Sequence, residues 1–161
     1  MNTSVCSRMD IKPADDRVLA DLELVDAQSD AAFDNITSLT RTVMNVPVAL
    51  VSIVQPSLDR QYFKSQLGLP ANWAKAGQTP LSHSFCQHVR ASNQPLIVPN
   101  SREHPVLKYN GAVADLNVIA YLGMPIHLPD GTCIGALCAI DDNPRIWADE
   151  DQQKSANLPY V

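Results

Sequence analysis

Two apolar runs, residues 118–126 and 132–140, flank the segment His127-Leu128-Pro129-Asp130-Gly131. Proline presets its backbone angle, aspartate bonds its own backbone and glycine accepts positive φ, so Pro-Asp-Gly is turn chemistry. Two β-rich runs joined this tightly predict an antiparallel hairpin, and the rest of the chain must then cover a sheet. A second pair precedes it. Residues 48–54 form a β-branched run between Pro47 and Pro56, and residues 61–66 follow a turn at 57–59. A fifth, shorter strand is expected at 96–98, enclosed by Pro95 and Pro99.

Helical spacing fills the gaps. Val18, Leu19, Leu22 and Val25 predict an amphipathic helix over 15–27. Ser29 or Asp30 is a suitable N-cap for a second, with Ala32, Phe33, Ile36, Leu39 (or Thr40) and Val43 as its stripe, ending before Pro47. Thr79 with Pro80 opens a third expected helix, on which Leu81, Phe85 and Val89 repeat every four residues. Residues 101–114 read as loop or short helix, and a final helix is expected over 145–157. Helices alternating with strands joined by short turns predict an α+β layer with an antiparallel sheet.

Composition narrows the class. At 161 residues, 45% hydrophobic and 18% charged, the chain suits one domain with its own core. Its longest apolar stretches fall far short of the roughly 20 residues that cross a bilayer, and its polar start lacks the apolar centre of a secretory signal. A cytoplasmic location without membrane contact is expected. Acidic residues number 17 against 12 Lys plus Arg, net −5, and the scattered basic residues leave no nucleic-acid footprint. The first thirty residues carry net −4, so residues 1–14 read as a flexible acidic arm and 15–161 as a single domain. Cys6, Cys86, Cys133 and Cys138 include no C-x-x-C pair and read as reduced thiols. No Gly-rich phosphate loop is present, and no cofactor is implied.

Several blocks in order resemble the GAF family: Phe33-Asp34-Asn35-Ile36, Val46-Pro47-Val48-Ala49-Leu50-Val51-Ser52, Asp59-Arg60-Gln61-Tyr62-Phe63-Lys64-Ser65 and Ser84-Phe85-Cys86-Gln87-His88. Pro95-Leu96-Ile97-Val98-Pro99, Tyr121-Leu122-Gly123-Met124-Pro125-Ile126, the run 130–141 and Asn143-Pro144-Arg145 continue the resemblance. The match is to the subgroup found as N-terminal sensory input of bacterial sensor histidine kinases and diguanylate cyclases. It implies a GAF-like antiparallel sheet, terminal helices on one face and a loop-covered pocket on the other. It also implies a sensory module that binds a small cytosolic ligand and a homodimer through the terminal helices. With the chain ending at Val161, a stand-alone module or an excised piece is expected. Where the subgroup carries an acidic pair and an Arg, this chain has Asn100 and His104-Pro105-Val106-Leu107. The signature of cyclic-nucleotide-binding members is absent, and Gln87 separates Cys86 from His88 where bilin-binding members join Cys to His.

The expected ligand-binding residues are Trp73, Phe85, Cys86, Asn100, Tyr109, Tyr121 and Cys138, a mostly apolar set with a few polar groups. Core packing is the plainer role for each aromatic. His83 and Cys86 share an i,i+3 face on the expected third helix, but His88 points elsewhere, too few donors for a metal. Cys133 and Cys138, five apart on one strand, should face opposite ways. If Cys138 shares the pocket side with Ile134, Ala136 and Ile140, it approaches Cys86. The plainer reading is two small buried side chains; the alternative is a redox pair. That pair carries the alternative function, a thiol-based enzyme resembling free-methionine sulfoxide reductase. A ligand-free dimerisation module is the third reading.

Overall fold

The computed structural model describes residues 13–157. Six strands make one antiparallel sheet: β1 (Val48–Gln55), β2 (Arg60–Leu67), β3 (Gln78–Thr79), β4 (Leu96–Val98), β5 (Ala120–His127) and β6 (Cys133–Asp141). Their order is β3-β2-β1-β6-β5-β4. The expected hairpin is β5–β6, paired from Ala120↔Asp141 to His127↔Cys133. β6 also pairs with β1, which is buried along its whole length, so these two strands form the middle of the sheet. Two-residue β3 was not anticipated. It follows α3 (Ala71–Ala76), a short helix that ends at left-handed Gly77.

The helices refine the sequence reading. α1 (Pro13–Asp21) stops well before residue 27. Glu23 takes φ 59°, the Glu23 N–H donates to the Ala20 carbonyl and the Leu24 N–H to the Leu19 carbonyl, a Schellman stop. Of the expected acidic arm, only residues 13 and 14 are described, and they open α1; Cys6 lies outside the described residues. α2 (Ala31–Met44) starts as expected, with Asp30 accepting from the Ala32 N–H at 2.8 Å. Its buried stripe keeps Phe33, Ile36 and, of the two alternatives, Thr40, and adds Thr37 and Met44, while Ala32, Leu39 and Val43 are exposed. The threonines can be buried because each hydroxyl donates back to a helix carbonyl, Thr37 to Phe33 and Thr40 to Ile36, both at 2.8 Å.

The helix expected from Pro80 begins six residues later, as α4 (Cys86–Ser92). Thr79 does not cap it, because its hydroxyl accepts from Gln61 Nε2 at 2.9 Å within the sheet. The chain makes a 3₁₀ turn at Leu81–His83, and Ser84 Oγ instead accepts the Gln87 N–H at 3.1 Å. Residues 101–114 resolve into two 3₁₀ turns, Ser101–Glu103 and Leu107–Tyr109, and the start of α5 (Gly111–Asp115). The last helix, α6 (Asp149–Ala156), starts four residues late because the segment before it is tied to neighbours. There the Arg145 N–H donates to the Pro99 carbonyl and Trp147 Nε1 to the Val98 carbonyl.

Successive strand residues point to opposite faces, which splits the core in two layers. One holds α1 and α2, with Leu19, Val25, Phe33 and Ile36 packed on Val51, Ile53, Ile126 and Leu137. α6 lies beside α2, and Met44 and Trp147 extend this layer over Leu122, Met124 and Ala139. The other face carries Leu50, Val54, Phe63, Tyr121, Ala136, Cys138 and Ile140, covered by Phe85, Cys86 and Val89 of the α4 region and by Leu107, Ala112, Leu116 and Val118.

Candidate functional site

A small cavity lies under that second cover. Leu50, Gln61, Phe63, Leu69, Phe85 and Ile140 supply much of its wall, with His83, Cys86, Ala112, Leu116, Val118 and Tyr121 completing it. It admits the centre of a water-sized sphere over only about 20 Å³, room for about one water or a molecule of two heavy atoms. A larger guest must displace the cover.

Two polar side chains, Tyr121 and Cys86, reach its floor, and a third, Cys138, lies behind them. Tyr121 points across β5 because Gly123, two residues on, has no side chain: a Cβ there would meet Tyr121 Cε1 at 2.6 Å. The Tyr121 hydroxyl thus lies 3.1 Å from Cys86 Sγ, and its ring tilts against Phe85 with centroids 5.2 Å apart. Cys86 Sγ is in turn 3.9 Å from Cys138 Sγ. The Ser52 hydroxyl is fully buried on β1 and completes no hydrogen bond of its own.

Burial acts on these groups unequally. The hydrogen bond from Cys138 lowers the Cys86 thiol, burial opposes it, and the Tyr121 hydroxyl adds to the lowering. Burial pushes Cys138 well up, reinforced by Cys86, and burial also pushes Tyr121 well up. Cys86 and Cys138 therefore share the first proton to leave this cluster, with the Tyr121 hydroxyl placed to donate to the resulting thiolate.

The roof is a clamp between two short segments. His83 Nε2 lies 2.6 Å from Asp115 Oδ2 at the end of α5, and Ser82 Oγ lies 2.8 Å from His83 Nδ1. Gly111 makes room for the imidazole, since a Cβ there would meet Nε2 at 2.6 Å. Trp73 of α3 covers the other side of the ring, centroids 5.3 Å apart. Asn110 joins the segments again: its Oδ1 accepts the Ala112 N–H and its Nδ2 donates to the Ser84 carbonyl at 3.0 Å.

The structure brings together Phe85, Cys86, Tyr121 and Cys138 of the expected set. Trp73 stands behind His83, outside the cavity wall. Asn100 is occupied in capping, accepting the Arg102 N–H at 3.1 Å, and Tyr109 is 79% exposed. Among the described residues no three His, Cys, Asp or Glu side chains converge as a metal site; His83 lies outside α4 and His88 is exposed.

The expectation that Cys133 and Cys138 face oppositely is corrected. Ile126 pairs with Gly135 but His127 with Cys133, so Ile134 is an extra residue that bulges and inverts the alternation. Ile134 packs under the terminal helices, not beside Cys138, and Cys133 Sγ lies 3.9 Å from the Val89 carbonyl on the α4 side. Sequence reasoning missed the His83–Asp115 clamp and the two glycines. Gly111 and Gly123 were the available signal, as positions where a ring approaches the backbone.

The family comparison agrees with this architecture. The model for the GAF domain matches residues 28–154, and the chain belongs to the GAF family. A cyclic di-GMP phosphodiesterase of Pseudomonas aeruginosa is 29% identical over 125 residues, covering 77% of this chain but 20% of its own length. Among solved structures, the GAF domain of an Acinetobacter phosphoenolpyruvate-protein phosphotransferase superposes with TM-score 0.62 at 15% identity, covering 78% of this chain and 73% of the other. Free methionine-R-sulfoxide reductase from Neisseria meningitidis, in complex with its substrate, gives TM-score 0.62 at 18% identity, covering 80% and 71%. These likenesses show the fold. No helix among the described residues is long and apolar enough to cross a membrane.

Proposed function

We propose that this chain is a cytoplasmic sensory GAF module that recognises a small molecule in the cavity beneath α4 and α5 and passes its occupancy to the terminal helices. The observation that carries the reading is placement: the cavity touches the inner face of β1, β5 and β6, whose opposite face seats α1, α2 and α6. Recognition requires the His83–Asp115 clamp to yield, since the closed cavity is small. The same reading pairs two copies through the terminal helices, supported by exposed Val18 on α1, Leu22 in the turn that follows it, and Leu39 and Val43 on α2.

A thermal-shift panel of amino acids, organic acids and purines, run on reduced protein, tests recognition. A compound at a hundredfold excess over its Kd stabilises the fold by about 2.7 kcal/mol, a rise of roughly 5 to 10 °C. A panel without any shift counts against it. Sedimentation at tens of micromolar tests pairing, and a strict monomer removes it.

The second reading, a thiol-based enzyme resembling free methionine sulfoxide reductase, draws support from the Cys86–Cys138 contact. Dithiothreitol-dependent consumption of free methionine sulfoxide, lost on Cys86→Ser, separates it from the sensor; no turnover by the wild-type protein sets it aside.

A further inference from the structure

The sulfur pair has chemistry that recognition alone does not use. We infer that Cys86 and Cys138 form a dithiol that hydrogen peroxide converts to a disulfide, with Cys86 attacking and Cys138 resolving. This rests on the sensory reading and names a chemical input for the same site.

Three observations lead there. The sulfurs are already in contact at 3.9 Å, on two different elements, the start of α4 and the centre of β6. Cys86 lines the cavity, whereas Cys138 is not part of its wall, so a guest meets Cys86 first. The cavity is small and suits a molecule of two heavy atoms, which is the size of hydrogen peroxide.

The steps balance. Cys86 loses its thiol proton and its sulfur attacks one peroxide oxygen; the O–O bond breaks, and the departing hydroxide takes up that proton as water. Cys86 is then a sulfenic acid. Cys138 Sγ attacks the Cys86 sulfur, the S–O bond breaks, and the second hydroxide leaves with the Cys138 proton as a second water. Two thiols and one peroxide yield one disulfide and two waters. The Tyr121 hydroxyl, 3.1 Å from Cys86 Sγ, donates to the thiolate in the first step. Closing the sulfurs to bonding distance draws the start of α4 toward the middle of the sheet, against strands that carry the terminal helices on their far side.

The test uses the full chain carrying Cys6→Ser and Cys133→Ser, treated with one to ten equivalents of hydrogen peroxide, blocked with iodoacetamide and measured by non-reducing mass spectrometry. The expected product carries no blocking group and is two mass units lighter than the reduced, unblocked chain, and its tryptic map joins the peptide of Cys86 to that of Cys138. Cys138→Ser should instead retain an oxygen that dimedone traps on Cys86. A wild-type chain that keeps its native thermal transition, yet yields neither the cross-linked peptides nor dimedone labelling at Cys86, overturns the inference without any reliance on variants. The thermal-shift panel on reduced protein is independent of this outcome. A binding compound with no cross-link removes only the dithiol, and a cross-link with no binding compound removes only metabolite recognition.

Discussion

Tyr121 lies over the bare backbone of Gly123, with its Cε1 only 2.6 Å from where a Cβ would stand. That approach carries the phenol to Cys86. Gly123→Ala should force the ring aside in a fully packed layer at a cost of about 1–3 kcal/mol. Urea denaturation checks it, as a lower midpoint at unchanged slope; an unchanged midpoint would show that the ring has room to move.

The His83–Asp115 clamp joins the 3₁₀ turn at Leu81–His83 to α5. Asp115 is half-exposed, so Asp115→Asn should change global stability by less than about 1 kcal/mol. Amide exchange should nevertheless quicken at residues 81–84 and 111–116 and stay unchanged in β1 and β6. Exchange unaltered in the roof would show that the clamp does not hold it shut.

Arg145 secures the end of α2 from a hundred residues away. Its guanidinium donates to the Met44 carbonyl at 2.6 Å and the Asn45 carbonyl at 3.1 Å, and lies 4.6 Å from the Trp147 ring centroid. Arg145→Ala should cost about 2 kcal/mol through the loss of these charge-assisted bonds, read by denaturation, with faster exchange at the last turn of α2.

Partial covering of the otherwise exposed His88 ring, and then the charge of His104, hold its imidazole below its usual 6.5. The unfolded chain therefore takes up this proton at higher pH than the folded one. The neutral ring's advantage is fully present above pH 6.5 and diminishes as pH falls through that value toward the lower folded pKa, where the loss levels off. Stability followed from pH 7.5 to 5 should show this decline, and His88→Gln should flatten it.

Much of the architecture was legible because alternation and turn chemistry are local. The Pro-Asp-Gly segment between two β-rich runs gave the β5–β6 hairpin, and Asp30 gave the start of α2. Tertiary bonds explain what was not legible. Thr79 looks like a cap until Gln61, eighteen residues away, claims its hydroxyl. Leu39 looks buried until Thr37 and Thr40 satisfy themselves within the helix and take the inner face. In the site, Phe85, Cys86, Tyr121 and Cys138 followed from the resemblance and from strand alternation near residues 136–140. Cys133 did not, because a single bulged residue at Ile134 reverses every orientation before it. The clamp was invisible because His83 and Asp115 are 32 residues apart and neither belongs to a periodic pattern.

The most direct measurement of the sensory account compares native and denatured mass spectra of protein taken quickly from cells, alongside Ala112→Phe, which fills the cavity wall. The account predicts a non-covalent mass excess in the native spectrum, absent after denaturation and absent from folded Ala112→Phe. A bare native mass, or an excess that Ala112→Phe retains in full, would contradict it.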